Sequence, residues 1–289
     1  MGRVTARRPV VRFRDGGSVR VTDTLVAEEP MEIRVDGRAL TVTMRTPGSD
    51  FALAAGFLTG EGVVHRADQI ASLRYCAGAG EDGRNSYNVV DVSLAPGTPP
   101  PAPELTRSFT TTSSCGVCGK TSLDTVRAAT RFSVADDDTA IGVDTLTALP
   151  DRLRAGQGVF DRTGGLHAAG LFTTDGDLLD VQEDVGRHNA VDKVVGRALL
   201  DGRLPLRGSV LMVSGRASFE LVQKALMAGI PTLAAVSAPS TLAVELAEQH
   251  GMTLVGFLRG SSFNVYAGAH RVATGDALAG AVAPTEETG

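Results

Sequence analysis

Residues 209–258 read SVLMVSGRASFELVQKALMAGIPTLAAVSAPSTLAVELAEQHGMTLVGFL. Three short apolar runs start at Ser209, Thr232 and Thr253, and two stretches of helical spacing lie between them, from about Ala217 to Met227 and from about Ser240 to Gln249. In the first stretch Phe219, Val222 and Leu226 share one face and read as core. Near-continuous apolar strands alternating with helices indicate a mostly parallel sheet covered on both faces. Such sheets bind ligands outside the C-terminal ends of their strands. Two glycine loops stand there, Ser214-Gly215-Arg216-Ala217 and Phe257-Leu258-Arg259-Gly260-Ser261-Ser262. Each carries an arginine, whose guanidinium forks onto phosphate.

Toward the N-terminus, a helix with Val191, Val194, Val195, Ala198 and Leu199 on one face precedes the alternating series. Before it, Ala168 to Thr173 and Leu178 to Val181 form a hairpin around Asp175-Gly176. Helices are expected at about Asp144 to Arg154 and Lys120 to Thr130, with an acidic turn at Asp136 to Asp138. Residues 95–103 (APGTPPPAP) sustain neither helix nor central strand and read as a stiff connector. From about Pro9 to Leu94 the chain is β-rich, with a hairpin at Asp36-Gly37 and one helix from the Pro47-Gly48-Ser49-Asp50 start to Gly60. The division is a β-rich domain over 1–95, a connector over 96–107, an α/β domain over 108–270 and a mobile tail over 271–289.

The 289 residues and 29.9 kDa are ample for a core, and a net charge of −5 excludes bulk nucleic-acid binding. Only three of the 28 basic residues are lysines, Lys120, Lys193 and Lys224. No apolar run is long enough to span a bilayer, and no apolar segment follows the basic start, so the expectation is a cytoplasmic protein without membrane attachment.

Three cysteines are too few for a disulfide framework, and two of them form Ser114-Cys115-Gly116-Val117-Cys118-Gly119-Lys120. A loop of this kind before a helix, with a lysine beside it, favours the thiolate that sulfur chemistry needs. The alternatives are half of a zinc site, a thioredoxin-like dithiol or a structural pair. A Cys₄ site lacks its second CxxC, since Cys76 stands alone and reads as structural. The deaminase pattern fails too, because no histidine is followed two residues on by Glu. Gly119-Lys120-Thr121 is not a P-loop end, because Ser114 stands where that motif needs glycine. No metal is expected. Polar clusters at residues 163–169 (TGGLHAA) and 183–193 (EDVGRHNAVDK) border apolar elements. Arg187 and His188 fall at a helix start, where free N–H groups attract anions; a hydrogen-bonded cap network accounts for the same residues equally well.

With these residues assembled, the chain resembles the FdhD family of formate dehydrogenase accessory sulfurtransferases. The likeness rests on Arg45-Thr46-Pro47, Gly56-Phe57-Leu58 with Glu61-Gly62, the CxxC, the two polar clusters, and Gly256-Phe257 to Asn264-Val265-Tyr266. The resemblance implies an α/β, cytidine-deaminase-like three-layer core without the deaminase zinc, a smaller β-rich N-terminal domain, and a homodimer. It also implies a sulfur carrier passing persulfide sulfur from a cysteine desulfurase to the molybdenum bis(molybdopterin guanine dinucleotide) cofactor of formate dehydrogenase. Cys115 is the implied persulfide residue and Cys118 an assisting thiol. The implied cofactor-binding segment is Phe257, Leu258, Arg259, Gly260, Ser261 and Ser262; some members carry Arg where this chain has Ser262. Arg216, Arg187 and His188 are added as candidate phosphate contacts. GDP or GMP is expected to bind as a mimic, with Arg259 on phosphate and Asn264 or loop amides on the base. The reading from another class is a guanine-nucleotide and molybdenum-cofactor-binding chaperone that does not touch sulfur.

Overall fold

A computed structural model of the chain describes residues 4–76, 87–102 and 130–274. Cys115 and Cys118 lie outside the described residues, as does the expected helix up to Thr130. The alternating region forms β10 (Ser209–Val213), α5 (Phe219–Met227), β11 (Thr232–Ala235), α6 (Thr241–His250) and β12 (Thr253–Arg259). The three strands run parallel in the order expected.

The six-stranded sheet is nevertheless mixed, with order β13-β12-β11-β10-β8-β9. Two antiparallel hairpins close it. One joins β8 (His167–Thr173) to β9 (Leu178–Asp184), and the other joins β12 to β13 (Ser262–Ala267). The expectation of a mostly parallel sheet is corrected: β8 pairs antiparallel with both β9 and β10, and β13, a strand not assigned from the sequence, pairs antiparallel with β12. Its half-buried Phe263 and Val265 alternate with exposed Ser262 and Asn264, the period of an edge strand.

Three layers result. On one face, α5, α6 and α4 (Arg187–Leu200) bury Val191, Val194, Leu221, Leu226 and Leu246 against Leu211, Leu233 and Leu254. On the other, Leu146, Leu149 and Leu153 of α2 (Val143–Ala155) cover Phe172, Val210, Met212 and Val255. A short α3 (Phe160–Thr163) follows α2.

The N-terminal part has a four-stranded sheet, order β4-β3-β6-β5, from β3 (Glu29–Val35), β4 (Arg38–Arg45), β5 (Ile70–Tyr75) and β6 (Val89–Leu94). Asp36 and Gly37 both take positive φ, 49° and 77°, the turn that matches the twist of the paired strands. Helix α1 (Asp50–Gly60) has nine buried residues of 11, because it is apolar all round and lies between this sheet and α4. The two helices meet backbone to backbone. A Cβ on Gly56 would stand 1.8 Å from the Asp192 carbonyl oxygen, and one on Gly196 1.8 Å from that of Ala52. A separate hairpin, β1 (Thr5–Arg14) with β2 (Gly17–Val26), is largely exposed.

Packing continues past His270. Arg271 is 1% exposed and donates to the carbonyls of Val134, Asp137 and Gly251, and β14 (Val272–Ala273) pairs with β7 (Ile141–Gly142).

Candidate functional site

Parallel strands β10, β11 and β12 bring their C-terminal ends to one sheet edge. Antiparallel β8 brings its first residue, His167, to that edge, and β9 its last, Asp184, paired with His167. The chain then turns through Val185-Gly186 into α4, placing Arg187 and His188 beside the Ser214-Gly215-Arg216 loop. Clusters far apart in sequence therefore meet.

Ala168 N–H donates to Ser214 Oγ at 2.9 Å, and Ser214 N–H to the Ala168 carbonyl at 3.0 Å. Gly215 leaves room between two side chains: its missing Cβ would lie 3.5 Å from His167 Nδ1 and 3.8 Å from Arg187 Cδ. His188 Nε2 is 3.3 Å from Ser218 Oγ and 3.9 Å from Glu220 Oε2. The N-cap of α4 is Gly186, which has no side chain to cap the first-turn N–H groups. Arg187 Nε is buried without a hydrogen-bond partner, and exposed Arg216 makes no hydrogen bond or ion pair among the described residues.

Burial, with Arg187 nearby, pushes the His167 pKa down. Burial, then Arg187 and Lys224, pushes His188 to about 4. His188 is thus neutral at pH 7, and positive charge at the edge rests on the arginines. A histidine held below its unfolded value contributes stability that is present above that value, about 6.5, and is lost as pH falls toward about 4. Asp192, raised to about 6 by burial against the opposing pull of Lys224, acts in the opposite sense, favouring the folded state at low pH. His188→Gln should flatten the loss of stability between about pH 6.5 and 4 in urea titrations. A limb as steep as the wild type's would show that His188 is not the buried neutral group.

The cluster at 183–193 divides its work. Asp184 accepts from Thr46 N–H at 3.1 Å, Gly186 N–H at 2.8 Å and Asn189 Nδ2 at 3.0 Å, and pairs with Lys193 Nζ at 2.7 Å. Lys193 also donates to the Thr46 carbonyl at 2.9 Å, and Asn189 Nδ2 to that of Met44 at 2.8 Å. Asp184, Asn189 and Lys193 therefore fasten β4 to α4, while Arg187 and His188 turn to the edge. The hydrogen-bonded network expected of this cluster is thus made by Asp184, Asn189 and Lys193, with Arg187 and His188 standing apart from it.

The segment 257–262 forms the end of β12 and its turn into β13. Phe257 sits at φ 52° in a bulge, 41% exposed, a strained placement for a bulky residue that presents its ring at the edge. Leu258 is fully buried in the core on the α2 face of the sheet. Arg259 Nε donates to the Val236 carbonyl at 3.0 Å, Ser262 Oγ to that of Arg259 at 3.3 Å, and Asn264 Nδ2 to Tyr266 Oη at 3.3 Å. This segment and the Ser214 loop share the edge with the end of β11 between them, through Val236 N–H to the Val213 carbonyl and Phe257 N–H to that of Ser237.

Sequence reasoning missed Ser218 and Glu220 as partners of His188, and missed a pocket of about 540 Å³ between α2, α3 and the Gly164-Gly165 turn, with His167 and Ser214 on its rim. Nothing in the spacing marks the pocket residue Gln157. Among the described residues no group of His, Cys, Asp and Glu could hold a metal ion, and no helix is long and apolar enough to cross a membrane.

The profile of the FdhD/NarQ family matches residues 26–273. "Sulfur carrier protein FdhD" of Streptomyces avermitilis is 65% identical over 274 residues, spanning 94% of this chain and 97% of that one. Its namesake in Mycobacterium tuberculosis is 58% identical over 275 residues, spanning 94% and 100%. A crystal structure from Desulfotalea psychrophila, assigned as a formate dehydrogenase accessory protein, superposes with a TM-score of 0.74 at 24% identity, covering 94% of this chain and 100% of that one.

Proposed function

The chain belongs to the FdhD/NarQ family, and from that premise we propose that it is a sulfur carrier required for formate dehydrogenase activity. Cys115 receives sulfur from a cysteine desulfurase and delivers it to the molybdenum bis(molybdopterin guanine dinucleotide) cofactor, which is cargo here. The name shared by the similar proteins supports the sulfur role. The observation that carries the cargo half is the meeting of Arg187, Arg216, His167 and the start of α4 on one sheet edge. An orphaned guanidinium N–H and the backbone N–H groups of a helix start suit pyrophosphate. Phe257 adds an exposed aromatic face on the same edge.

In the loading step the Cys115 thiolate attacks the outer sulfur of the donor's persulfide. A new S–S bond forms, the donor's S–S bond breaks, and the donor cysteine leaves as thiolate, so no net oxidant is needed. Cys118 then attacks the Cys115 sulfur, so that a Cys115–Cys118 disulfide forms as the persulfide S–S bond breaks and the outer sulfur leaves as sulfide, a thiol reductant resetting the pair; or Cys118 holds the persulfide by hydrogen bonding. At the edge, Arg187 and Arg216 hold phosphate, and neutral His188, held by Ser218, is an acceptor or donor without adding charge. The reading carries with it a homodimer, a core of the cytidine-deaminase type, and a cytoplasmic setting where thiols stay reduced.

Incubation with a desulfurase and cysteine should add about 32 Da, one sulfur atom, to the intact mass. The added mass should disappear in Cys115→Ala. Its persistence on Cys118 in that variant would overturn the assignment, and no added mass in the wild type would overturn the carrier role.

A further inference from the structure

The β1-β2 hairpin lies almost wholly outside the part of the chain that the family profile matches, which begins at residue 26. It is an addition to the shared fold. At its base Val26 packs on Gly165, just past α3, at 3.2 Å from the missing Cβ. Beyond that base it projects as an arm, and every residue from Val11 to Arg20 is exposed. A two-stranded ribbon is marginally stable at best when it stands alone in water, so an arm of two ten-residue strands needs a surface to lie on.

The chemistry of the arm specifies that surface. Its register places Arg7, Val11 and Phe13 on one face, together with Arg20, which stands opposite Val11. Phe13 is 79% exposed and Val11 52%. Residues 4–27 hold five arginines and two aspartates, a net +3, whereas the whole chain is −5, so the rest of it carries −8. Arm against arm is therefore repulsive, and the complement is a strip both acidic and apolar. The body of the chain presents one. At the β8-β9 turn, exposed Asp175 and Asp177 lead into Leu178 and Leu179, which are 42% and 47% exposed. Exposed Asp144 of α2 stands beside it, next to Thr145, which packs on Gly176. Strand β9 is an edge of the six-stranded sheet, paired among the described residues with β8 alone, and an open edge with exposed leucines favours pairing with another chain. The strip lies at the far end of the β8-β9 hairpin from Gly165, and the arm of the same chain leaves it uncovered.

We propose that the β1-β2 arm of one protomer lies along the β9 edge of a second copy of the chain, with Phe13 and Val11 over its Leu178 and Leu179 and with Arg7 and Arg20 on its Asp175 and Asp177. By two-fold symmetry the second arm returns the contact, which closes the assembly at two chains. Two ten-residue strands supply about the 20–30 residues that each side of a standard interface uses. The inference deepens the proposed function: it rests on the homodimer in that reading and names its surface.

Sedimentation equilibrium on the full chain tests it. The wild type should be a dimer. Phe13→Asp should weaken dimerisation about a hundredfold, because a two-fold interface loses each contact twice, while the urea midpoint stays unchanged at so exposed a position. Arg7→Asp with Arg20→Asp should weaken it about tenfold, as should Asp175→Arg with Asp177→Arg, and the four changes in one chain should restore it. An undiminished dimer in Phe13→Asp overturns the arm as the contact and leaves the homodimer standing. Failure of the fourfold exchange to restore association overturns the seat on β9. A monomeric wild type overturns both this surface and the homodimer, and if it binds poly-glutamate through Arg7 and Arg20 the arm belongs to a different acidic protein. Sulfur loading on Cys115 is read separately by mass.

Discussion

Alanine at Gly196 is expected to cost about 3 kcal/mol of unfolding free energy, read as a lower denaturation midpoint at unchanged slope. The added methyl would lie 1.8 Å from the Ala52 carbonyl oxygen and 2.5 Å from the Gly56 amide nitrogen, so backbone must move and no side chain can yield in its place. Moving α4 away from α1 opens the tightest helix contact among the described residues and loosens the buried residues on both sides, Leu53 and Leu58 on one and Leu199 on the other. Gly158→Ala provides the control, because no atom lies within 4 Å of its Cβ position. A loss at Gly196 no larger than at Gly158 would show that the helices are not in backbone contact.

Lys193→Met should cost about 3–5 kcal/mol, because it leaves a carboxylate buried without its cation. Asp184 is 0% exposed, and Lys193 at 2.7 Å is its ion-pair partner. The variant also leaves the Thr46 carbonyl without the donor at 2.9 Å that ties β4 to α4. Adding Asp184→Asn should recover part of the loss, since the amide keeps an acceptor for Thr46 N–H and carries no charge. Equal stabilities of the single and double variants would mean that the carboxylate is not what makes the lysine necessary.

The alternating strands and helices after Ser209 were legible because each segment satisfies one period within itself. Helix α1 and the hairpin turns at Asp36-Gly37 and Asp175-Gly176 were legible for the same reason, from local spacing and Asp-Gly pairs. Strand β13 escaped because a half-buried edge strand of six residues, beginning in a Gly-Ser-Ser turn, carries only two inward positions, Phe263 and Val265. The edge site was half legible. Arg187, His188 and Arg216 announce themselves as polar residues at helix starts and strand ends. Which neighbours of Arg187 serve the edge and which fasten β4 depends on where Thr46 lies, more than a hundred residues earlier in the chain. Gln157 was invisible, because nothing local distinguishes a glutamine facing a pocket from one facing water.

The position of α1 sets a timetable for synthesis. The helix is apolar on every side and needs two partners, yet α4 begins at Arg187, while α1 ends at Gly60. At about 5–20 residues per second a ribosome takes roughly 6–25 s to deliver the second partner, and during that interval one greasy face of the nascent chain has only the small sheet to cover its other side. Early termination after the four-stranded sheet should yield aggregating product, and the N-terminal part is a natural client for holding chaperones until α4 emerges.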